Sequence, residues 1–205
     1  AGVLTMQSML EDRGIHIGYE RVRRLMRLAS IKPIYPRRHL TQWKKNEYIY
    51  PYLLRNLAIT EKNQVWEIDI TYIPMAKGFM YLTAIIDVYS RYIVGWGLSN
   101  SLDADSSLRV VKDAIRDHGK PSILNSDQGS QFTCREYVEY LKDQHIQISM
   151  DGKGRALDNI YIERFWRTIK YQHIYLNPAE SGIDLFIGIK KWIERTQTMN
   201  IFRIV

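Results

Sequence analysis

Three acidic residues stand in settings that would let them share one metal-dependent site. Asp69 lies in a strand-like run, Asp127 ends an apolar run and opens a glycine turn, and Glu163 lies on a helix-like stretch. Carboxylates that are brought together repel one another unless a cation joins them. Hard oxygen ligands of this kind suit Mg²⁺ or Mn²⁺. The three acids therefore predict a divalent metal site that only the tertiary fold can assemble.

The strand that carries Asp69 is predicted over residues 65–73, where apolar and polar side chains alternate. Side chains of a strand point alternately to its two faces. One face then carries Glu67, Asp69 and Thr71, and the other carries Trp66, Ile68, Ile70 and Tyr72. Two further strand patterns, over residues 80–88 and 92–98, follow after short turns and predict an antiparallel meander.

The remaining pattern alternates between helix and strand. The predicted elements are a helix from Asp103 or Asp105 to about His118, a strand over residues 121–126, a helix that begins with a capping box at residues 133–136, and a strand over residues 146–150. The helix of Glu163 follows a glycine-containing loop. This order predicts an α/β fold of the ribonuclease-H-like type, with a mixed five-stranded sheet preceded by a small helical region.

The length and composition suit one catalytic domain with a small appendage. The chain has 205 residues, of which 45% are hydrophobic. It contains no run of 18 apolar residues and no signal-peptide pattern, so we expect a soluble cytoplasmic protein without a membrane partner. The single cysteine, Cys134, excludes an intrachain disulfide, and the five scattered histidines give no reason to expect a zinc site.

The positive charge of the chain is concentrated in its first third. Residues 1–65 hold 12 Lys and Arg against 5 Asp and Glu, whereas residues 66–205 hold 17 of each kind. The whole net charge of +7 therefore belongs to the N-terminal segment. Lysines and arginines that neutralise phosphates release counterions, so we interpret this segment as a polyanion-binding arm. A solvated basic surface is the alternative.

Residues 1–30 are predicted to form two helices separated by a turn at Gly14 and Gly18. Apolar residues recur at helical spacing after Gly18, and arginines fill the other faces of that second helix. A short turn followed by a basic helix is typical of a helix-turn-helix. The predicted DNA contacts on this helix are Arg21, Arg23, Arg24 and Arg27. An ordinary amphipathic helix pair is the alternative.

Residues 31–64 are predicted to form a linker, because prolines interrupt the segment while aromatic and cationic residues alternate along it. Aromatic rings interleaved with cations suit the bases and phosphates of nucleic acids. The predicted DNA contacts in the linker are Arg37, Arg38, Lys44 and Lys45. The aromatic residues could equally pack the linker onto the catalytic domain.

The helix of Glu163 presents a second predicted DNA surface. Four residues share one helical face at i−4, i, i+4 and i+7: Asn159, Glu163, Arg167 and Lys170. Because this face begins beside the predicted catalytic acid, its polar residues are predicted to contact DNA, together with Lys153 of the glycine loop. The alternative is an exposed Glu–Arg pair, which would contribute about 0.3–0.5 kcal/mol to stability.

Asp87 is a candidate for a fourth metal ligand, because its strand is predicted to pair with that of Asp69. Its position just before Ser90 and Arg91 favours a different role, in which the carboxylate bonds within the turn.

Several motifs occur in the order expected of a known family. They are Asp-Ile-Thr-Tyr-Ile at 69–73, Asp-Val-Tyr-Ser-Arg at 87–91, Ser-Asp-Gln-Gly-Ser-Gln-Phe at 126–132, and Asp-Asn at 158–159 with Glu163. Over about residues 6–195 the chain resembles the integrase core of bacterial insertion-sequence transposases. It is most similar to the downstream-frame (OrfB-type) transposases of insertion-sequence family three. Retroviral integrases are more distant relatives of similar design.

The resemblance implies a DDE site in which Asp69, Asp127 and Glu163 are the three catalytic and metal-binding acids. Two Mg²⁺ (or Mn²⁺) ions would lie there, with Asp69 bridging both, and a phosphodiester would be attacked first by water and then by a DNA 3′-hydroxyl. The resemblance also implies particular partners. They are the terminal repeats of the element, target DNA, further copies of the chain on that DNA, and an upstream-frame protein, in the nucleoid of a bacterial cytoplasm.

The family pattern stops near Arg195. A helix is expected after Gly182, but residues 196–205 match nothing expected at this point, so we interpret them as an atypical tail after a catalytic core over residues 65–195. A frameshift or an interrupted element would produce such a tail. The alternative to an active transposase is therefore a catalytically impaired, DNA-binding remnant of a decayed element. A structure-specific nuclease on the same fold is a third interpretation.

Overall fold

A computed structural model describes residues 3–29, 31, 48–75, 77–152 and 159–198. The chain divides into two compact units, Ala1–Lys44 and Lys45–Val205. Among the described residues, no helix is long and apolar enough to cross a membrane.

The N-terminal unit contains the two helices that the sequence predicts. Helix α1 spans Val3–Glu11 and helix α2 spans Tyr19–Leu28. Gly14 lies between them with a φ of 77°, a left-handed backbone conformation that favours glycine. On α2, Val22 and Met26 are buried, as an amphipathic helix requires. The four arginines that are predicted to bind DNA are all exposed: Arg21, Arg23, Arg24 and Arg27.

The second unit is built on a mixed five-stranded sheet. Its strands are β1 (Val65–Pro74), β2 (Phe79–Asp87), β3 (Ile93–Ser99), β4 (Ile123–Ser126) and β5 (Gln147–Met150). They lie in the order β3-β2-β1-β4-β5. The pairs β1–β2 and β2–β3 are antiparallel, whereas β1–β4 and β4–β5 are parallel. The predicted meander and the predicted mixed sheet are therefore confirmed.

Helices cover both faces of this sheet. They are α3 (Ala104–His118), α4 (Arg135–Asp143), α5 (Ile160–Ile169) and α6 (Gly182–Thr198), with a π-helical turn (Lys170–Ile174) after α5. Helix α3 is capped as predicted, because Asp103 Oδ1 accepts a hydrogen bond from Ser106 N at 2.7 Å.

The predicted capping box of α4 is wrong. The helix begins one residue later, after Cys134, whose side chain makes no capping hydrogen bond. The Thr133 hydroxyl instead donates to the Gly129 carbonyl at 3.0 Å. Thr133 therefore closes the turn that follows Asp127 and is not available to cap a helix.

Two hydrophobic cores occupy opposite faces of the sheet. Trp66 and Ile68 of β1 belong to the core formed with α3 and α4, whereas Ile73 belongs to the core formed with α5 and α6. Even-numbered and odd-numbered residues of β1 thus face different helices, as the alternation predicts. The odd-numbered face, which includes Asp69, is the one that α5 covers.

Residues 48–64 of the predicted linker belong to the second unit and pack against its hydrophobic cores. Tyr48 and Tyr50 contact the core formed with α3 and α4, and three aliphatic residues contact a smaller cluster around Val65: Leu54, Leu57 and Ile59. The packing alternative therefore holds for residues 48–64. The predicted DNA contacts Arg37, Arg38, Lys44 and Lys45 lie outside the described residues.

Helix α6 continues into the segment predicted as an atypical tail. Thr196 is buried, and Gln197 Nε2 donates a hydrogen bond to the Ile93 carbonyl at 2.9 Å. The first three residues of that segment therefore complete a packed helix. Residues 199–205 lie outside the described residues.

Candidate active site

Asp69 occupies the middle of β1, on the face that α5 covers. Its side chain is half-buried, and its Oδ2 accepts a hydrogen bond from Trp166 Nε1 of α5 at 2.8 Å. Burial raises the pKa of Asp69 to about 6, the bond from Trp166 opposes that rise, and the charges of Asp127 and Glu163 add to it. The charges of the other two predicted catalytic acids therefore act on Asp69.

Asp127 reaches this site through the parallel pairing of β1 with β4. The paired positions end at Glu67 and Asn125. Asp69 stands two residues further along β1, and Asp127 stands two residues further along the chain, just after β4, so both acids lie beyond the end of the ladder. Neighbouring paired strands are about 4.8 Å apart, so β1 and β4 are close to each other where their pairing ends.

The turn after β4 fixes the backbone around Asp127. Asp127 Oδ1 accepts a hydrogen bond from Gly129 N at 2.9 Å. A Cβ atom at position 129 would lie 2.8 Å from the same carboxylate oxygen and still closer to the Gln131 amide. A side chain at position 129 would therefore require the Gln131 amide and the Asp127 carboxylate to move. The Asp127 side chain itself is exposed.

Glu163 is an exposed residue in the first turn of α5. The N-terminal end of a helix carries a partial positive charge, which favours a carboxylate at this position. Main-chain N–H groups in the first turn have no partner within the helix. One of them, that of Ile162, donates to Glu67 Oε2 at 3.0 Å, so the first turn is fastened to β1 next to Glu163.

The three acids lie on a strand, a turn and a helix and do not form a closed ligand cluster. Within the ranges that the structure describes, no group of three or more acids, histidines or cysteines lies close enough to hold a metal ion. The chemistry of the three acids nevertheless fits a hard divalent cation, since all of them are carboxylates. The raised pKa of Asp69 fits as well, because a nearby cation would stabilise its charged form.

The predicted DNA face of α5 is uneven in exposure. Arg167 is exposed and Lys170 is half-buried, whereas Asn159 is only 6% exposed at the helix start. Lys170 Nζ donates to Thr71 Oγ1 of β1 at 2.6 Å, and burial lowers the pKa of this lysine. On this face, Arg167 is therefore more accessible than Lys170. Lys153 lies outside the described residues.

Two residues of the site were not among the predicted functional residues. Trp166 binds Asp69, and Glu67 is a carboxylic acid only 2% exposed on the same face of β1. Burial raises the pKa of Glu67 to about 8, against the opposing effect of its bond from Ile162. The alternation within residues 65–73 placed Glu67 on the face of Asp69, but only the position of α5 identifies its partner.

Asp87 stabilises the turn after β2 through hydrogen bonds. Its carboxylate accepts hydrogen bonds from Asn63 N, Ser90 N and the Ser90 hydroxyl, at 2.6–2.7 Å. Oδ1 is therefore engaged by the turn, as the second of the two interpretations predicted, and Oδ2 is engaged by Asn63 ahead of β1.

Two domain families match the chain. The integrase core domain matches residues 59–156, and an HTH-like domain matches residues 1–39. The first match contains Asp69 and Asp127, and the second contains the arginines of α2.

The chain is also similar to known insertion-sequence proteins. It is 32% identical over 203 residues to the transposase for insertion sequence element IS904 of Lactococcus lactis, covering 94% of this chain and 78% of that protein. It is 32% identical over 115 residues to the transposase InsF for insertion sequence IS3A of Escherichia coli, covering 55% of this chain and 40% of that protein.

Among solved structures, the fold resembles a chain of the simian T-cell lymphotropic virus intasome in complex with PP2A regulatory subunit B56 gamma. The TM-score is 0.52 at 16% identity, covering 80% of this chain and 55% of that one. At this identity the likeness shows a shared fold, that of the ribonuclease-H-like integrase core.

Proposed function

Because the chain belongs to the insertion-sequence transposases that carry an integrase core domain, we propose that Asp69, Asp127 and Glu163 form its catalytic site. The observation that carries this assignment is the position of Asp69 and Asp127, each two residues beyond the end of the β1–β4 ladder, with Glu163 acting electrostatically on Asp69. The reaction is cleavage of a DNA strand followed by transfer of its 3′ end to target DNA.

Two divalent ions, when bound by these acids, would supply the positive charge that activates the attacking oxygen and stabilises the leaving one. Asp69, which lies within β1, would hold the ions together with Asp127 and Glu163. Asp127 and Glu163 extend from a turn and a helix end, and both are exposed. Rotation of these two side chains toward Asp69 would complete the ligand set.

The residues around the acids would hold the DNA. Arg167 lies one helical turn after Glu163 and is exposed, which suits contact with a phosphate next to the cleaved bond. Lys170 is bonded to Thr71, so its charge stands beside β1. We include both, with Asn159 and Lys153, in the proposed DNA surface. Joining two ends of an element requires two such sites, so we also propose a homo-oligomer on DNA.

Strand cleavage in the presence of metal is the direct test of this function. A labelled duplex ending in the inverted repeats that flank the gene should be nicked at the repeat end when Mg²⁺ or Mn²⁺ is added. The same mixture with EDTA should leave the duplex intact, because the carboxylates alone cannot stabilise the leaving oxygen. Bound, folded protein that leaves the duplex uncut in both metals would favour the decayed-remnant alternative, which the comparisons do not otherwise support.

The arginines of α2 are proposed to supply much of the DNA affinity. Each phosphate contact contributes about 0.9 to the slope of log affinity against log salt concentration. Replacing all four arginines by glutamine should therefore reduce that slope by about 3 to 4 and weaken binding at low salt. Fluorescence anisotropy with a labelled duplex over a range of NaCl concentrations measures the slope. The four substitutions are Arg21→Gln, Arg23→Gln, Arg24→Gln and Arg27→Gln.

A matched control variant loses four positive charges from the second unit instead. Four exposed lysines serve this purpose: Lys112, Lys120, Lys142 and Lys190. Their replacement by glutamine should leave the salt slope within about 1 of the wild-type value, because these lysines are not among the proposed phosphate contacts. A larger loss of slope in the lysine variant than in the arginine variant would place the binding surface on the second unit.

A further inference from the structure

Three alternate residues of β1 are bonded to groups that are spaced one helical turn apart, two of them on α5 and the third on Lys170, which begins the π-helical turn after α5. The three pairs are Glu67 Oε2 with Ile162 N at 3.0 Å, Asp69 Oδ2 with Trp166 Nε1 at 2.8 Å, and Thr71 Oγ1 with Lys170 Nζ at 2.6 Å. Two residues of a strand advance about 6.7 Å and four residues of a helix about 6.0 Å, so the two spacings match over this length. The bonds therefore set one register of α5 on β1.

The bond between Trp166 and Asp69 differs from the other two because its donor is an indole N–H group. An indole N–H is a neutral donor that cannot accept a proton or bind a metal ion. The Trp166 ring is only 4% exposed and packs against Phe165, with ring centroids 5.0 Å apart. A donor on so confined a ring restricts the orientation of the carboxylate to which it is bonded.

The bond joins the only one of the three acids that stands within the sheet. Asp127 and Glu163 are exposed, whereas Asp69 is half-buried beneath α5. Without a donor from α5, the Asp69 carboxylate could rotate, and its position relative to the other two acids would no longer be defined. Groups that hold metal ligands in place through hydrogen bonds commonly change metal affinity or activity 10- to 100-fold when removed.

We propose that Trp166 is a positioning residue, whose indole N–H holds Asp69 in the orientation that cation binding and strand cleavage require. Trp166 itself touches neither DNA nor metal ion in this assignment. The inference rests on the proposed catalytic role of Asp69. It is separate from the contribution of the Trp166 ring to the core, which a phenyl ring would largely retain.

The test compares variants of the full chain in the cleavage assay, with the Mg²⁺ concentration for half-maximal rate as the second readout. Trp166→Phe should lower the rate about tenfold or more and raise the Mg²⁺ requirement severalfold. The control is Trp96→Phe, which shortens another tryptophan in the same core, packed against Phe186 at 5.0 Å between ring centroids. It should leave the Mg²⁺ requirement unchanged, although both variants should lose some thermal stability.

Replacing Trp166 by benzothienylalanine distinguishes the effect of the N–H donor from the effect of ring packing. This analogue has the shape of tryptophan with a sulfur atom in place of the N–H group. We expect it to lose activity as Trp166→Phe does while its melting temperature stays near the wild-type value. Wild-type rate and Mg²⁺ requirement in the analogue would overturn the inference, since the ring alone would then suffice. Full activity of Asp69→Asn would instead overturn the proposed function, and the inference with it.

Discussion

Replacing any one of the three predicted acids by its amide is expected to lower strand cleavage by at least about a thousandfold. The variants are Asp69→Asn, Asp127→Asn and Glu163→Gln. An amide keeps the size of the side chain but removes the negative charge that holds a divalent cation. Without the metal ion the transition state loses several kcal/mol of stabilisation. A loss of about 4 kcal/mol lowers the rate by a factor of a thousand. Single-turnover cleavage of a terminal-repeat duplex measures this effect.

Binding to DNA should change little in the same three variants, because the main basic surface lies in the other unit of the chain. Anisotropy titrations should give dissociation constants within a few-fold of wild type. Asp143→Asn, at the exposed end of α4, provides a matched loss of one carboxylate outside the site. It should cleave at the wild-type rate. An amide variant of Asp69, Asp127 or Glu163 that does the same would remove that residue from the catalytic site.

Glu67→Gln is expected to stabilise the metal-free protein at alkaline pH. The pKa of Glu67 is raised from 4.5 to about 8, chiefly by burial. A group with a raised folded-state pKa contributes its full stability below its unfolded pKa, and that stability is lost as the pH rises through the folded value. The window therefore runs from about pH 4.5 to about pH 8. Across it, this shift corresponds to about 5 kcal/mol of unfolding free energy.

Glutamine resembles the protonated acid and keeps an oxygen that can accept the Ile162 N–H. The variant should therefore escape this loss, so that its advantage over wild type grows from near zero at pH 4.5 toward several kcal/mol at pH 8. Urea unfolding in EDTA at a series of pH values gives the two free-energy profiles. Parallel profiles for Glu67→Gln and wild type would show that Glu67 does not titrate abnormally in the folded protein.

Much of the fold follows from local pattern. The alternation over residues 65–73 separates Asp69 from its apolar neighbours, because strand side chains change face at every residue whatever surrounds them. Caps such as Asp103 are equally local, since the carboxylate and the N–H group to which it bonds are three residues apart. The three acids were likewise recognised from motifs within short segments.

The incorrect capping box arises because a second partner competes for its first residue. Thr133 fits a capping box by spacing alone, but its hydroxyl donates to Gly129 in the turn after Asp127. The boundary near Arg195 stays a prediction from the family pattern. The structure adds that α6 continues to Thr198 and that Gln197 bonds to Ile93 of β3. In both cases the acceptor is a main-chain carbonyl, that of Gly129 or of Ile93. The path of the backbone places this carbonyl, and the residue types do not predict it.

Local pattern in the amino-acid sequence identified the candidate side chains: three acids, a basic N-terminal segment and a strand face shared by Glu67, Asp69 and Thr71. The tertiary structure alone decided what meets that face. The groups on α5 that bond to it stand 95 to 99 residues further along the chain. No local periodicity relates positions so distant, because their register depends on how the cores on both sides of the sheet pack. Packing therefore placed Trp166 against Asp69 and buried Glu67, and these contacts fix the geometry of the site.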